Sequence, residues 1–302
     1  MRSKLLLLAA LAASQSGLFA EHADYVTVNA TAAPSYVRPK LASGAPKPET
    51  YVFYEGKFFS GATRDPSMAH ATFEEIIKNL APGLAHQNYL PTKDVKNANL
   101  LIVVNWGMTT TEPGAGKSDT EKQFELQDLY DSVNNFNAGA GDVSDITANM
   151  MVARTNQLSS QAYTGINARL LGYEATLKKE DKMSWVSLSG AGAEQEAHLA
   201  DLLEERYFVI LLAYDYQKLL KGNQPDKPLA TKPGEPQKRP IWVVRVNIAA
   251  NGNNFPLALP AMTRVASDYF GKQVDGLKTE QTDTGRRGTV EIGDTKVMNV
   301  VK

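Results

Sequence analysis

The residues best suited to chemistry lie together on one short acidic segment. Glu194, His198 and Asp201 occur at positions i, i+4 and i+7 between Ala193 and Glu205. On a helix their side chains share one face, so an imidazole and carboxylates could bind one metal ion. The segment lacks the His-Glu-x-x-His pattern of zinc hydrolases, and acidic residues near a helix N-terminus also complement the helix dipole. We therefore interpret the segment as a solvated acidic face and expect no metal ion and no cofactor.

Asp215 is the fourth candidate for acid/base chemistry, because it directly follows the apolar run from Tyr207 to Tyr214. Hydrolysis needs two carboxylates in a cleft or a nucleophile beside a base, and the sequence identifies no partner for Asp215. Two hypotheses stay open. We favour a non-enzymatic interaction or structural protein over a hydrolase with an acidic and histidine site. Convergence of His198, Glu194 and Asp215 in one pocket would favour the hydrolase.

A glycine-rich stretch, Gly114-Ala115-Gly116-Lys117-Ser118, lies between a predicted strand and a predicted helix. This is the setting in which a phosphate-binding loop works, but such a loop needs its first glycine three residues before Gly114. The residue there is Thr111. We therefore expect a loop that binds no nucleotide.

The N-terminus has the three parts of an export signal. Basic Arg2 and Lys4 precede the apolar stretch Leu5 to Ala13, and small residues follow as far as Ala20. A span of the bilayer needs about 20 apolar residues, so this stretch is too short to be an anchor. The pattern predicts a signal peptide over 1–20, cleaved after Ala20, and an exported periplasmic or extracellular protein with no transmembrane span after processing.

Composition excludes further classes of function. The 302 residues include 32 basic and 33 acidic side chains, so a concentrated basic surface for nucleic acid is not expected. The chain has no cysteine, which excludes disulfides, thiolate metal sites and a lipidated cysteine. The expected partner is a protein or another component of the cell envelope.

The elements around these residues predict an α/β fold, with a mixed sheet covered by helices. A run such as Leu100-Leu101-Ile102-Val103-Val104 is typical of a strand buried on both faces, and Asp65-Pro66 is typical of a helix start. Residues 21–49 are rich in alanine, proline and threonine and are interpreted as an extended tether. Residues 51–302 are then one domain. Its predicted strands are 51–58, 99–107, 184–189, 207–216 and 241–249, with helices 66–86 and 256–271, a helical insertion 119–181, a proline-rich loop 222–240 and a hairpin within 289–300.

The order of these elements resembles an uncharacterised α/β domain of bacterial envelope lipoproteins. The resemblance covers about half of the chain after the signal peptide. It rests on the aromatic strand at 51–54, the helix that ends in Leu84-Ala85-His86-Gln87-Asn88-Tyr89, the strand Ala98-Asn99-Leu100-Leu101-Ile102-Val103, the strand that ends at Asp215, the strand at Ile241-Trp242 and the final helix. This chain departs from that pattern by its helical insertion and its lack of the lipidated cysteine. The resemblance implies a fold and a compartment, and no catalytic residues.

Overall fold

A computed structural model describes residues 24–61, 65–111, 160–187, 192–222 and 240–285. Its strands are β1 (Asp24–Ala32), β2 (Glu49–Phe59), β3 (Tyr89–Pro91), β4 (Leu100–Met108), β5 (Arg206–Asp215), β6 (Trp242–Ala249) and β7 (Lys278–Thr282). Its α-helices are α1 (Pro66–Ala69), α2 (Phe73–His86), α3 (Ser160–Leu171), α4 (Glu174–Ser187), α5 (Ala193–Leu202), α6 (Tyr216–Gly222) and α7 (Phe255–Ala266). None of these helices is long and apolar enough to cross a membrane.

The seven described strands form one mixed sheet in the order β3-β2-β4-β5-β6-β1-β7. Strand β2 runs parallel to β3 and β4, and every other neighbouring pair is antiparallel. The predicted α/β fold with a mixed sheet is therefore confirmed. The predicted strands 51–58, 99–107, 207–216 and 241–249 are confirmed as β2, β4, β5 and β6.

The interpretation of 21–49 as a tether is wrong for the described residues. Asp24–Ala32 forms β1, which lies between β6 and β7 with Val26, Val28 and Ala30 fully buried. The alternation of apolar and polar residues from Val26 to Ala30 was the strand signal that the proline and alanine content obscured. The rest of the segment is docked through Arg38, whose Nη1 donates to the carbonyl of Gln87 at 2.6 Å.

The predicted strand 184–189 is also wrong. Residues 184–187 belong to α4, while Leu188 and Ser189 lie outside the described residues. Trp185 and Val186 favour a strand in isolation, but Glu174 begins a run without glycine or proline that is rich in good helix formers. The established helix therefore continues through them.

Three other helical predictions are resolved in different ways. The predicted helix 66–86 is divided into α1 and α2, because Thr72 caps a new helix in a capping box with Glu75. The helix predicted at 256–271 is confirmed as α7 with a following 3₁₀ turn, Ser267–Tyr269. The predicted insertion is helical in α3 and α4, and its residues 119–159 lie outside the described part of the chain. The glycine-rich loop 114–118, residues 223–239 of the proline-rich loop and the predicted hairpin also lie outside the described residues.

The sheet has two differently composed faces. The first buries an apolar core under α2 and α7, and the second is covered over β5, β6 and β1 by α3, α4 and α5. In β1 and β6 the valines and the isoleucine that alternate along each strand face the apolar core on the first face. The residues between them face the second face of the sheet and include buried polar groups. These second-face residues are Thr27, Asn29, Arg245 and Asn247. The candidate chemistry lies between this polar face and the helices above it.

Candidate functional site

The predicted solvated acidic face is wrong at His198. Helix α5 buries Gln195, His198 and Leu202, and His198 is only 7 % exposed. These residues recur at three- and four-residue spacing, so they form the inward stripe of the helix. Glu194 remains exposed at the N-terminal end of the same helix.

His198 is held by a carboxylate that sequence analysis missed. Its Nδ1 lies 3.0 Å from Oε1 of Glu180 on α4. The ring of Tyr173 packs against the imidazole edge to face, with centroids 5.7 Å apart and planes at 87°. Glu180 is 18 residues from His198 and stands among lysines and an aspartate, so its sequence context resembles an ordinary charged surface.

Glu194 completes a three-residue cluster with Glu180 and His198. One candidate ligand atom of each residue lies within 4.8 Å of the corresponding atoms of the other two. Within the described part of the chain, Oε2 of Glu180 is buried and has no hydrogen-bond partner. Two carboxylates and an imidazole are a donor set suited to a divalent transition cation. We call Glu180, Glu194 and His198 the carboxylate–histidine cluster.

Asp201 belongs to a different arrangement and does not join Glu194 and His198 in a common cluster. Its Oδ1 accepts from Nη1 of Arg206 at 3.0 Å, and its Oδ2 accepts from the hydroxyl of Tyr173 at 2.8 Å. Arg206 also donates from Nε to Oδ1 of Asn247 at 2.6 Å and from Nη1 to Oε1 of Glu204 at 2.5 Å. This buried polar network joins α5, β5, β6 and the turn before α4.

Burial changes the pKa of two members of this network. Burial raises the pKa of Tyr173, so the phenol stays protonated and keeps donating to Asp201. Burial likewise raises the pKa of Glu204, and the positive charge of Arg206 opposes this change. The network therefore satisfies the buried guanidinium of Arg206 with the carboxylates of Asp201 and Glu204.

Asp215 is far from these groups. It ends β5, which begins at Arg206, and the nine residue steps of extended strand between the two span about 30 Å. Oδ1 of Asp215 accepts from the backbone N–H of Lys218 at 3.0 Å, and Oδ2 pairs with Nζ of Lys218 at 3.0 Å. His198 and Glu194 therefore converge with each other and not with Asp215, which excludes a single site containing all three.

Searches against models of known protein families and against curated proteins found no match to this sequence. The resemblance to envelope lipoprotein domains consequently stays a prediction.

Proposed function

We propose that this chain is an exported, non-enzymatic protein that acts by binding a protein or another envelope component. In this proposal a divalent cation held by the carboxylate–histidine cluster organises the binding surface. The observation that carries the proposal is the convergence of Glu180, Glu194 and His198 around a buried carboxylate oxygen without a partner.

The unpartnered oxygen of Glu180 supports a cation at this position. A buried carboxylate oxygen left without a donor costs free energy, which a coordinated cation offsets. Ligand atoms of a tetrahedral zinc ion lie about 3.3–3.4 Å from one another. The contact of 3.0 Å between Glu180 and His198 is close to that separation, and the exposed side chain of Glu194 is free to approach both.

A cation in the cluster would act on the structure around it. Glu180 comes from α4, whereas Glu194 and His198 come from α5, so one ion would link two helices. The exposed position of Glu194 places this link beside the protein surface, where it can order a contact with a partner. The export part of the proposal rests on the signal pattern of residues 1–20.

Zinc titration of chelator-treated protein tests the cation site. Removing even a supporting partner of a metal ligand costs about 10–100-fold in affinity, so Glu180→Gln, Glu194→Gln and His198→Gln should each weaken Zn²⁺ binding at least about tenfold. Asp215→Asn is the matched control because its carboxylate lies at the far end of β5, away from the cluster. Zn²⁺ should also raise the melting temperature of the unmodified protein by mass action.

Equal loss of affinity in Asp215→Asn, or unchanged affinity in Glu194→Gln, would contradict the cation site. Glu194 is exposed, so Glu194→Gln should keep its fold and remain informative if the two buried variants do not.

The hydrolase hypothesis retains one supporting observation. Exposure of Glu194 leaves room for water at a fourth position of a cation, which is the arrangement of hydrolytic zinc sites. Zinc-dependent hydrolysis of p-nitrophenyl acetate that disappears in Glu194→Gln and His198→Gln would favour that hypothesis over a binding protein. The proposal expects the zinc-loaded protein to show no such activity.

A further inference from the structure

Within the described residues, two arginines are buried on the second face of the sheet, and they differ in their counter-charges. Arg206 and Arg245 are each 2 % exposed. Arg206 reaches Asp201, Glu204 and Asn247. Arg245 makes one hydrogen bond, from Nη1 to Oδ1 of Asn29 at 3.1 Å.

The remaining donors of Arg245 have no acceptor. Nε and Nη2 are buried without a hydrogen-bond partner in the described part of the chain. Among the residues that the structure describes, no carboxylate pairs with Arg245, and burial lowers the pKa of Arg245 to about 10. An isolated charge in a protein interior is very costly unless it is paired, so this arginine requires an anion.

The surroundings of Arg245 supply a further free polar atom. Arg245 lies opposite Asn29 in the pairing of β6 with β1, and Thr31 follows Asn29 on the same face of β1. Diagonal neighbours in such a pair lie about 7–8 Å apart, within reach of a long side chain. Oγ1 of Thr31 is also buried without a partner in the described residues. Two guanidinium nitrogens and a hydroxyl thus remain unpartnered on neighbouring residues of one sheet face.

The backbone packs tightly against this part of the second face. Gly172 follows α3 with φ of +85°, and a Cβ at this residue would lie 2.5 Å from Cγ and Oδ1 of Asn29. The turn before α4 therefore rests directly on the side chain to which Arg245 donates. A large ligand would have to separate the helices from the sheet.

We propose that Arg245, with Asn29 and Thr31, forms a buried site for a small monovalent anion of the size of chloride. The anion accepts from Nε and Nη2 of Arg245 and from the hydroxyl of Thr31. It supplies the counter-charge that Asp201 and Glu204 supply to Arg206. The site is independent of the carboxylate–histidine cluster, so either can fail without the other.

Bromide is the probe for this site, because it substitutes for chloride and can be located in a crystal by its anomalous scattering. The protein is unfolded in urea and refolded in sodium gluconate. Its melting temperature should then rise when bromide replaces gluconate at constant ionic strength. A ligand of the folded state stabilises by RT ln(1 + [L]/Kd), so the rise should be logarithmic above the dissociation constant. Arg245→Met should abolish the rise, and Lys78→Met, which removes an exposed charge on α2, should preserve it.

Crystals grown in bromide give a test that needs no variant. An anomalous peak beside Nη2 of Arg245 is expected. The proposal is overturned if wild-type crystals show no bromide there, or if the bromide-dependent rise persists in a folded Arg245→Met protein.

Discussion

Asp201 and Arg206 are joined by a hydrogen bond of 3.0 Å between Oδ1 and Nη1, which ties the end of α5 to the first residue of β5. The same guanidinium reaches Asn247 on β6, so one side chain connects a covering helix to two central strands. The position of His198 over the sheet depends on this connection, because His198 lies on the same helix three residues before Asp201.

Arg206→Ala should strongly destabilise the protein. The change removes the positive partner of Asp201 and the donation from Nε to Oδ1 of Asn247, and breaking a buried ion pair costs about 3–5 kcal/mol. Lys218→Met breaks an exposed pair with Asp215 and should cost less than about 1 kcal/mol. Urea unfolding followed by circular dichroism measures both, and equal costs would contradict the importance of the network.

Tyr51→Phe and Tyr207→Phe should have opposite effects on stability. The hydroxyl of Tyr51 is buried and has no partner in the described residues, so its removal should be neutral or stabilising by up to about 1 kcal/mol. The hydroxyl of Tyr207 donates to Asp65 and to the carbonyl of Asn253, and its loss should cost about 1–3 kcal/mol. Thermal melts of the two variants at pH 7 check the prediction, which a similar change in both would contradict.

Stability should fall as the pH rises from 10 to 12. Burial raises the pKa of Tyr51 and of Tyr207 from the usual 10.0 to about 12. Below pH 10 both phenols are neutral in the folded and unfolded chains. Between pH 10 and 12 only the unfolded chain ionises, which favours unfolding. Urea unfolding at several pH values measures this slope, which should be shallower in Tyr51→Phe, and absorbance at 295 nm follows the ionisation.

Gly271→Ala should be more harmful than Gly276→Ala. Both glycines have positive φ, of +70° and +72°, so both changes cost about 1 kcal/mol in backbone strain. A Cβ at Gly271 would also lie 1.9 Å from the hydroxyl oxygen of buried Tyr89, whereas one at Gly276 meets only an ordinary contact at 3.6 Å. We expect an additional loss of about 1–3 kcal/mol in Gly271→Ala, measured by urea unfolding. Equal losses would show that Tyr89 moves aside freely.

The predicted cleavage after Ala20 should leave a stable protein, whereas deletion of residues 1–32 should not. Cleavage at Ala20 preserves β1, and the longer deletion removes a strand between β6 and β7 together with buried Val26 and Val28. N-terminal sequencing of exported protein should read Glu-His-Ala. A cooperative melt of the longer deletion at the wild-type temperature would contradict the role of β1.

Sequence reasoning succeeded where local pattern and tertiary packing agree. The apolar run of β5 is buried on both faces, and that of β4 is buried on one face and half-buried on the other, so their composition alone identified both strands. It failed at β1, where Val26 and Val28 follow a predicted signal peptide and precede a proline-rich stretch. It also failed at Trp185, where the preceding helix outweighs strand propensity. Glu194 and His198 share a helix and could be found by their spacing. Glu180 lies on another helix, and only the packing of α4 against α5 brings it to His198.

The pairing of β1 with β6 and β7 constrains when the chain can fold. Val26 lies opposite Ile248 on β6 and opposite Glu280 on β7, so the first strand finds its neighbours more than 200 residues later in sequence. Contacts between residues so far apart in sequence form late in folding, because a long loop must close before they can form. A chain that crosses a membrane N-terminus first would thus emerge with β1 unpaired and would complete its sheet only after residue 282 had followed. Premature folding before transport would be disfavoured by the same delay.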